Sequence, residues 1–338
     1  MNRLIFAFLL LSLATCKLKK QASTGLIEPA IKPDTFTLAF WNVENLFDTL
    51  DGANRDEDFT PNGYDHWTDE VYHKKLNHLS QTINDINADI LGVCEVENRG
   101  VLADLRNNTA GLQNHSIVHY DSPDERGIDV ALFYDSTLFD QISSEAIGVS
   151  LAKDDKTRDI LHVQLTLKHS FDTFSVFVNH WPSRSGGQAR SNPNRFAAAK
   201  ALKNEIQKLS HSYMILGDLN DGPTDSSVSV ILEACTKENN NANCRSFNLS
   251  GNIDTRNEGT HKYHGHWNML DHIILSYDML SNKHGFIWKE GSFNIFKPNY
   301  LIQQTGKYEG YPYRALAGGK FIGGYSDHLP LYCIIIHQ

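Results

Sequence analysis

Short apolar runs recur along the chain and predict buried β-strands. The first, residues 35–41, alternates apolar and polar positions, which is typical of a strand with one buried face. The other runs are more continuously apolar and have the length of strands rather than helices. They predict strands at residues 89–94, 128–134, 161–167, 174–178, 212–216, 269–276 and 329–336.

Residues 68–87 and 194–209 instead repeat apolar residues at helical spacing and predict two amphipathic helices. Strands outnumber helices, and the helices fall between strands. This order favours two sheets packed face to face with helices outside them. The apolar positions of the two helices are Val71, Leu76, Leu79, Ile83 and Ile86, and then Phe196, Ala199, Leu202, Ile206 and Leu209.

The N-terminus has the pattern of an export signal. Arg3 precedes an apolar stretch at residues 4–13 that is too short to span a bilayer comfortably. Small residues then lead to Cys16, as in a bacterial lipoprotein box, so we expect a signal peptide at residues 1–15 and lipidation of Cys16. An ordinary secretory signal cleaved nearby is the alternative. We expect a tether at residues 16–34, one large domain at residues 35–338, and a cell-envelope or secreted location.

Composition changes this picture only in part. The chain has 338 residues, 41% of them apolar, and a formal net charge of -9. An acidic chain is poorly suited to wrapping long nucleic acid by charge alone, but a bound cation and a few arginines can still hold one phosphate. Cys235 and Cys244 could close a disulfide or stay free, whereas Cys94 and Cys333 lie in apolar runs and are expected to be buried thiols.

Polar residues follow several predicted strands, at the point where each apolar run ends. Hydrolysis of a phosphoester needs a hard cation on oxygen ligands, an activated water and donors for the developing charge. Carboxylate, amide and imidazole groups can supply these functions, so the pattern predicts one metal-assisted phosphoester site. The residues are Asn42, Glu95, His180, Asp218, Asn220, Asp327 and His328.

Each of these residues taken alone also has a structural explanation, and their joint occurrence in this order is harder to explain that way. The alternatives are a solvated strand end for Glu95, a turn for Asp218 and Asn220, a hydrogen-bonded core histidine for His180, a cap for Asn42, an ion pair for Asp327 and His328, and a structural pair for Asp271 and His272.

Taken together, the motifs resemble the endonuclease/exonuclease/phosphatase superfamily, over about residues 36–336. The resemblance implies a four-layered α/β sandwich of two packed, mainly antiparallel sheets with outer helices. The motifs are Phe40-Trp41-Asn42-Val43, Leu91-Gly92-Val93-Cys94-Glu95-Val96, Val178-Asn179-His180-Trp181-Pro182, Ile215-Leu216-Gly217-Asp218-Leu219-Asn220, Leu270-Asp271-His272-Ile273 and Ser326-Asp327-His328-Leu329-Pro330.

The resemblance also implies a role for each matching residue. Glu95 would be the main ligand of Mg²⁺, with Mn²⁺ as an alternative ion, supported by Asn42 and Asp327. The remaining roles are water activation by Asp218, water and phosphate positioning by Asn220, acid–base chemistry and phosphate contact by His328, orientation of the His328 ring by Asp271, and a second, phosphate-facing acid at His180 with Asp129 as its partner.

The substrate is less well defined by the sequence. Arg184, Arg190 and Arg195 follow His180 closely and could grip further phosphates of a nucleic-acid strand, or could lie on a solvated loop and helix face. The aromatic residues at 263–267 could stack on a base or simply pack a loop. The first hypothesis is therefore an exported Mg²⁺-dependent nuclease. A lipid phosphodiesterase or phosphomonoesterase of the envelope, and a non-enzymatic binding module, are the alternatives.

Overall fold

Two large β-sheets dominate the structure, a computed structural model that describes residues 34–152, 155–237, 244–253, 255–281 and 283–338. The α-helices are α1 (Asp69–Ile86), α2 (Arg99–Asn108) and α3 (Gln188–Ile206). The strands are β1 (Asp34–Leu46), β2 (Ile90–Val96), β3 (His115–His119), β4 (Asp129–Asp135), β5 (Phe139–Ile147), β6 (Ile160–Leu167), β7 (Thr173–His180), β8 (Ser212–Asp218), β9 (Ala234–Cys235), β10 (Ser246–Asn248), β11 (His261–Tyr263), β12 (His266–Asn268), β13 (Asp271–Ser276), β14 (Phe286–Trp288), β15 (Asn294–Ile295) and β16 (Leu331–His337).

Both sheets are mixed but mainly antiparallel. The first has the strand order β14-β16-β1-β2-β4-β3, with β15 also paired to β16, and the second has the order β5-β6-β7-β8-β13-β10-β9. Within the described residues, the parallel pairs are β1 with β2, β7 with β8, and β9 with β10. Strands β11 and β12 form a separate hairpin.

Apolar side chains from both sheets fill the space between them. Phe36 and Phe40 of β1 belong to the same buried cluster as Val178 of β7 and Leu216 of β8. Gly92 of β2 lies where the sheets approach closely, because a Cβ placed there would be 3.0 Å from a methyl group of Leu216. Burial of this much apolar surface is the main favourable term for the fold.

The helices cover the outer faces of the sheets. Leu79 and Ile83 of α1 share a buried cluster with Trp41 and Val93 of the first sheet, as do apolar residues of α2. Leu202 of α3 shares another cluster with strands of the second sheet. The order is therefore helix, sheet, sheet, helix, and the predicted four-layered sandwich is confirmed.

The third helix begins six residues before the predicted start at residue 194, and it contains Pro193. Proline removes one backbone donor, so it usually favours a helix boundary. Here the first turns are tied together by Arg195, whose guanidinium donates hydrogen bonds to Asn192 Oδ1 at 2.6 Å and to Ser191 Oγ at 3.0 Å. Arg195 also forms a buried ion pair with the distant Asp221 at 2.7 Å, so local and long-range contacts together offset the effect of the proline.

The predicted signal peptide, the lipidation site at Cys16 and the tether lie outside the described residues, apart from residue 34 at the start of β1. Among the helices that are described, none combines the length and apolar character needed to cross a membrane.

Four cysteines lie within the described residues, and the sequence predicted the state of two of them. Cys94 and Cys333 are buried free thiols, as predicted. Cys235 and Cys244, which the sequence left open, form a disulfide.

Candidate active site

Strand ends of the first sheet place three predicted residues together. Asn42 of β1 pairs in register with Cys94 of the parallel strand β2, so Asn42 and Glu95 are neighbours at the same end. Strand β16 runs antiparallel to β1, and the preceding segment that carries His328 therefore begins at this end as well. The Trp41 indole donates to the His328 carbonyl at 2.9 Å and holds this segment in place.

Strand ends of the second sheet meet the same point. His180, Asp218 and Asp271 occupy one row across β7, β8 and β13. The Asn42 side chain links the two sheets, because its Nδ2 donates to Glu95 Oε1 and to Asp218 Oδ2, both at 3.1 Å. Residues from six separate segments thus converge, as the sequence predicted for one shared site.

The converging residues open onto one cleft of about 720 Å³. Glu95, His180, Asp218, Asn220 and His328 all line it. A second cavity of about 1040 Å³ contains none of the predicted site residues. The polar strand ends, rather than the larger cavity, therefore mark the candidate site.

Several non-glycine residues at these strand ends adopt left-handed backbone conformations. The φ angles are 51° at Glu44, 52° at Asn45, 62° at Glu95 and 51° at Asn220. Residues other than glycine adopt this conformation rarely because Cβ crowds the following carbonyl. The chain turns sharply here, which lets Glu95 Oε2 accept a hydrogen bond from Asn45 N at 3.1 Å.

Asn42 is oriented as a bridge between carboxylates. Its Oδ1 accepts a hydrogen bond from Glu44 N at 3.0 Å, so its amide nitrogen must be the atom that faces Glu95 and Asp218. Asn42 therefore positions the two carboxylates in this structure. Its predicted support of a metal stays a prediction.

His328 and Asp271 form a buried pair. His328 Nδ1 lies 2.7 Å from Asp271 Oδ2, and His328 Nε2 lies 3.8 Å from Asp218 Oδ2. Burial by itself would lower the pKa of His328, but the carboxylates of Asp271 and Asp218 outweigh it and hold this pKa well above its usual value. The two carboxylates therefore favour the protonated form of His328, and Asp271 orients the ring.

Asp218 has the pKa shift expected of a buried acid. Burial raises the pKa of Asp218 to about 7, since the lowering by His328 is offset in part by Asp271. Asn220 lies beside it, with its backbone N donating to Asp218 Oδ1 at 2.9 Å. A carboxyl group with a pKa near neutrality can accept a proton from water in this pH range.

His180 faces the carboxylates of Glu95 and Asp218. Its Nε2 lies 3.8 Å from Glu95 Oε1 and 3.9 Å from Asp218 Oδ2, and its Nδ1 is buried without a hydrogen-bond partner in the described structure. Burial, Arg158 and Arg126 hold the pKa of His180 well below its usual value. These surroundings favour the neutral ring, and the predicted role of His180 as an acid stays a prediction.

The predicted pairing of Asp129 with His180 is wrong. Asp129 Oδ2 lies 3.0 Å from His119 Nε2, and Asp129 Oδ1 accepts a hydrogen bond from Ser122 N at 2.9 Å. Asp129 is buried at the start of β4, two residues before Ala131, which pairs in register with His119 of β3. Both oxygens are thus occupied by protein groups, and a substrate contact by Asp129 has no support.

The predicted arginines divide into two groups. Arg184 donates to the Asn220 carbonyl at 2.7 Å and to Asp225 at 2.8 Å, and Arg195 is fully buried in an ion pair with Asp221 at 2.7 Å. Both stabilise the loop after β8 instead of facing a ligand, so the predicted phosphate contact by Arg184 is not supported. Arg190 lines the cleft.

Sequence reasoning missed a charged network next to Asp327. Arg314 Nη2 lies 3.1 Å from Glu44 Oε1 and 3.4 Å from Asp327 Oδ2. The fully buried Lys75 donates to the Val43 carbonyl at 2.6 Å. Burial and the Asp327 charge together raise the pKa of Glu44 to about 7, against the lowering effect of Lys75 and Arg314. In the sequence, the only local indication of this network was Glu44, in the motif Trp41-Asn42-Val43-Glu44.

A neighbouring histidine was missed as well. The ring of His261, at the start of β11, lies 4.9 Å from the ring of His328, measured between centroids, and His261 pairs with His328 as an isolated bridge. Burial and the His328 charge lower the pKa of His261 to about 4. The hairpin that carries it follows no strand-end pattern in the sequence.

The donor set fits a divalent cation. Among the described residues, neither Glu95 nor Asp218 has a lysine or arginine within 4.0 Å, although both are largely buried. Carboxylates left without such partners in a buried site favour a bound cation, and oxygen donors suit Mg²⁺ or Mn²⁺. Glu95 is placed to hold it, Asp218 faces the same cleft, and Asp327 lies close to Arg314.

The family model of the endonuclease/exonuclease/phosphatase family matches residues 37–337. The chain belongs to this family. Members of the endonuclease/exonuclease/phosphatase family are hydrolases that act on phosphoester bonds. No curated protein shows significant sequence similarity to the chain.

Solved structures show the endonuclease/exonuclease/phosphatase fold at low sequence identity. A family member from Bacteroides thetaiotaomicron is 16% identical with a TM-score of 0.59, and covers 91% of this chain and 99% of its own. A mannosyl-6-phosphatase from the same organism is 15% identical, with a TM-score of 0.55 and coverages of 89% and 99%. D. rerio TDP2, complexed with a single-strand DNA product, is 13% identical, with a TM-score of 0.56 and coverages of 89% and 98%.

Proposed function

We propose that the protein is a Mg²⁺-dependent phosphodiesterase that hydrolyses nucleic acid. The observation that carries this proposal is the convergence of Glu95, Asp218 and the His328–Asp271 pair on one cleft. The two carboxylates there have no lysine or arginine partner among the described residues. Such a site offers cation ligands, a proton acceptor and a positively charged donor within a few ångströms.

Each residue has a defined part in the proposed reaction. A bound Mg²⁺ would polarise the phosphoryl oxygen and stabilise the leaving oxyanion. Asp218, with a pKa near 7, accepts the proton of the attacking water while Asn220 positions it. His328, whose raised pKa favours the protonated form, would direct Nε2 towards the phosphate and stabilise the added negative charge. Asp271 fixes the ring through Nδ1.

Support for nucleic acid as the substrate comes from the cleft and from one structural relative. Arg126 and Arg190 line the cleft and can contact a phosphate backbone. The D. rerio TDP2 structure of the same fold contains a single-strand DNA product. Export to the cell envelope through residues 1–15 and Cys16 belongs to the same proposal and rests on the sequence pattern.

A phosphomonoesterase is the second candidate. One structure with the same fold is a mannosyl-6-phosphatase, and that fold is shared over 89% of this chain. The same groups would then act on a terminal phosphate, whose extra negative charge the cation and His328 would offset.

The deciding experiment compares turnover of supercoiled plasmid DNA, bis(p-nitrophenyl) phosphate and mannose 6-phosphate in Mg²⁺ or EDTA. We expect Mg²⁺-dependent nicking that falls at least about 100-fold in Glu95→Gln, together with loss of Mg²⁺ binding by calorimetry. Glu145→Gln is the matched control, because Glu145 pairs with His162 outside the cleft. Full activity of Glu95→Gln, or activity in EDTA, would contradict the proposal, and turnover of mannose 6-phosphate alone would favour the phosphomonoesterase.

A further inference from the structure

The cleft is larger than one phosphate group requires. Some of the cationic side chains that line it have acidic partners within the protein, and others have none among the described residues. Besides the groups that would contact the scissile phosphoester, it is lined by the cations Arg126, Lys156, Arg158 and Arg190. Lys156, next to Asp155 in the chain, lines the same cleft. The arginines differ from this lysine because a guanidinium can bind a phosphate through paired hydrogen bonds.

Arg158 is fully used within the protein. It is buried, its Nη1 lies 2.9 Å from Asp124 Oδ2, and it donates to the carbonyls of His180 at 3.1 Å and Trp181 at 2.7 Å. These contacts account for the position of Arg158 without a ligand. Arg158 fixes the end of β7 and occupies the carboxylate of Asp124.

Arg126 and Arg190 are different. The nearest acid to Arg126 is Asp124, at 3.7 Å from its Nε, and that carboxylate is already held by Arg158. Arg190 lies in the first turn of α3 and has no hydrogen bond or ion pair to its side chain from any described residue. About half of the Arg126 side chain is exposed. Two guanidinium groups thus face the same cleft with unused donors.

A third observation places an unused polar atom in the same cleft. His180 is 5% exposed, and its Nδ1 has no hydrogen-bond partner among the described residues. A buried polar atom without a partner is unfavourable unless a ligand or solvent satisfies it. The cleft therefore has recognition capacity beyond the groups assigned to catalysis.

We infer that Arg126 and Arg190 form a subsite for a second phosphate group of the substrate, next to the phosphoester that is cleaved. The inference rests on the proposed function and makes it more specific. Arginine binds phosphate through paired charge-assisted hydrogen bonds, which a hydrated lysine reproduces poorly. The second phosphate can be the neighbouring phosphate of a nucleic-acid strand or a second phosphate ester of a small molecule.

The test compares substrates that differ by one phosphate. One arm uses the thymidine dinucleotide TpT with its 5′-phosphorylated and 3′-phosphorylated forms, and the other uses fructose 6-phosphate with fructose 1,6-bisphosphate. We expect the second phosphate to raise kcat/KM about 10-fold or more in at least one arm, as charge-assisted hydrogen bonds allow. The arm that responds identifies the source of the phosphate.

The variant Arg126→Gln/Arg190→Gln should reduce this advantage to within about twofold, because glutamine keeps polarity but removes both charges. Arg106→Gln is the matched control, since the Arg106 side chain donates to Asn107 Oδ1 at 3.5 Å and does not line the cleft. An advantage below twofold in the wild-type protein, or one that persists in the double variant, would overturn the inference.

A binding measurement separates this inference from the proposed function. In the Glu95→Gln background, calorimetry should show tighter binding of the phosphorylated dinucleotide than of TpT, or of the bisphosphate than of the monophosphate. Substitution of both arginines should abolish that difference. Turnover of TpT without any preference for a second phosphate would leave the nuclease proposal standing and remove the subsite. Tighter binding of the doubly phosphorylated ligand without turnover of TpT would support the subsite and contradict the nuclease proposal.

Discussion

Substitution of Asp271 by asparagine tests the proposed chemistry most directly. The change keeps the size of the side chain but removes the negative charge 2.7 Å from His328 Nδ1. Asparagine can still accept a hydrogen bond through its oxygen. The experiment therefore isolates the charge of Asp271, which raises the pKa of His328.

The expected magnitude follows from the geometry. Both members of the pair are buried, and a hydrogen bond to a charged group contributes about 1.5–3 kcal/mol. If that energy supports the protonated His328 in the transition state, kcat falls about 10- to 150-fold. KM should change less than about threefold, because the bond acts on the ring and not on a remote part of the substrate.

The assay is the pH dependence of kcat for bis(p-nitrophenyl) phosphate at saturating Mg²⁺. Asp271 raises the pKa of His328, so its replacement lowers this pKa and moves the alkaline fall of activity to lower pH. Asp172→Asn is the matched control, because Asp172 makes a similar contact with His337, at 2.6 Å, away from the cleft. It should leave both rate and profile unchanged.

The reasoning is refuted by an Asp271→Asn protein that keeps more than about a third of its kcat with an unchanged profile. An alkaline limb that moves to higher pH would equally exclude a protonated His328. A loss of activity accompanied by a lower melting temperature would indicate unfolding, so circular dichroism should accompany each rate measurement.

Two further predictions concern stability. The fully buried His272 has a pKa lowered to about 4 by burial, so the unfolded chain binds more protons between pH 4 and 6.5 and stability rises with pH over that range. In urea unfolding, the free energy of unfolding should fall by about 2 kcal/mol between pH 7 and 5 because of this group. The fall should be smaller in His272→Gln. The same pH dependence in the variant and the wild-type protein would contradict the lowered pKa of His272. Arg195→Met should cost about 3–5 kcal/mol because Asp221 loses its buried partner at 2.7 Å. The exposed pair Lys208–Glu205 supplies the control Lys208→Met, and a cost below about 1 kcal/mol for Arg195→Met would show that Asp221 is satisfied by its other contacts.

Elements with strong periodicity could be predicted from the sequence, and weakly patterned ones could not. The helix at Asp69–Ile86 was found because its apolar residues repeat regularly and Thr68 caps its start. Strand β5 was missed because it lies at a sheet edge, where most of its side chains are exposed and carry no burial pattern. The start of α3 was misplaced because Arg195, buried by distant residues, outweighs Pro193.

The residues of the candidate site also divide into those that the sequence could predict and those that it could not. Strand-end residues such as Glu95 and His328 were predictable because one end of a packed sandwich gathers them. The partner of Asp129 was not predictable, since His119 comes from a neighbouring strand that had no sequence signal. The ion pair of Arg314 with Glu44 was also hidden, because 270 positions separate the two residues along the chain.

Stability and function make opposite demands on four residues with left-handed backbone conformations, which are Glu44, Asn45, Glu95 and Asn220. Each costs roughly 1–2 kcal/mol relative to glycine, which adopts this conformation without strain. Selection for thermal resistance alone would therefore tend to replace these residues by glycine and lose the chemistry. A screen that rewards only folding should drift towards inactive proteins at these positions, whereas a screen that rewards turnover should preserve a less stable chain.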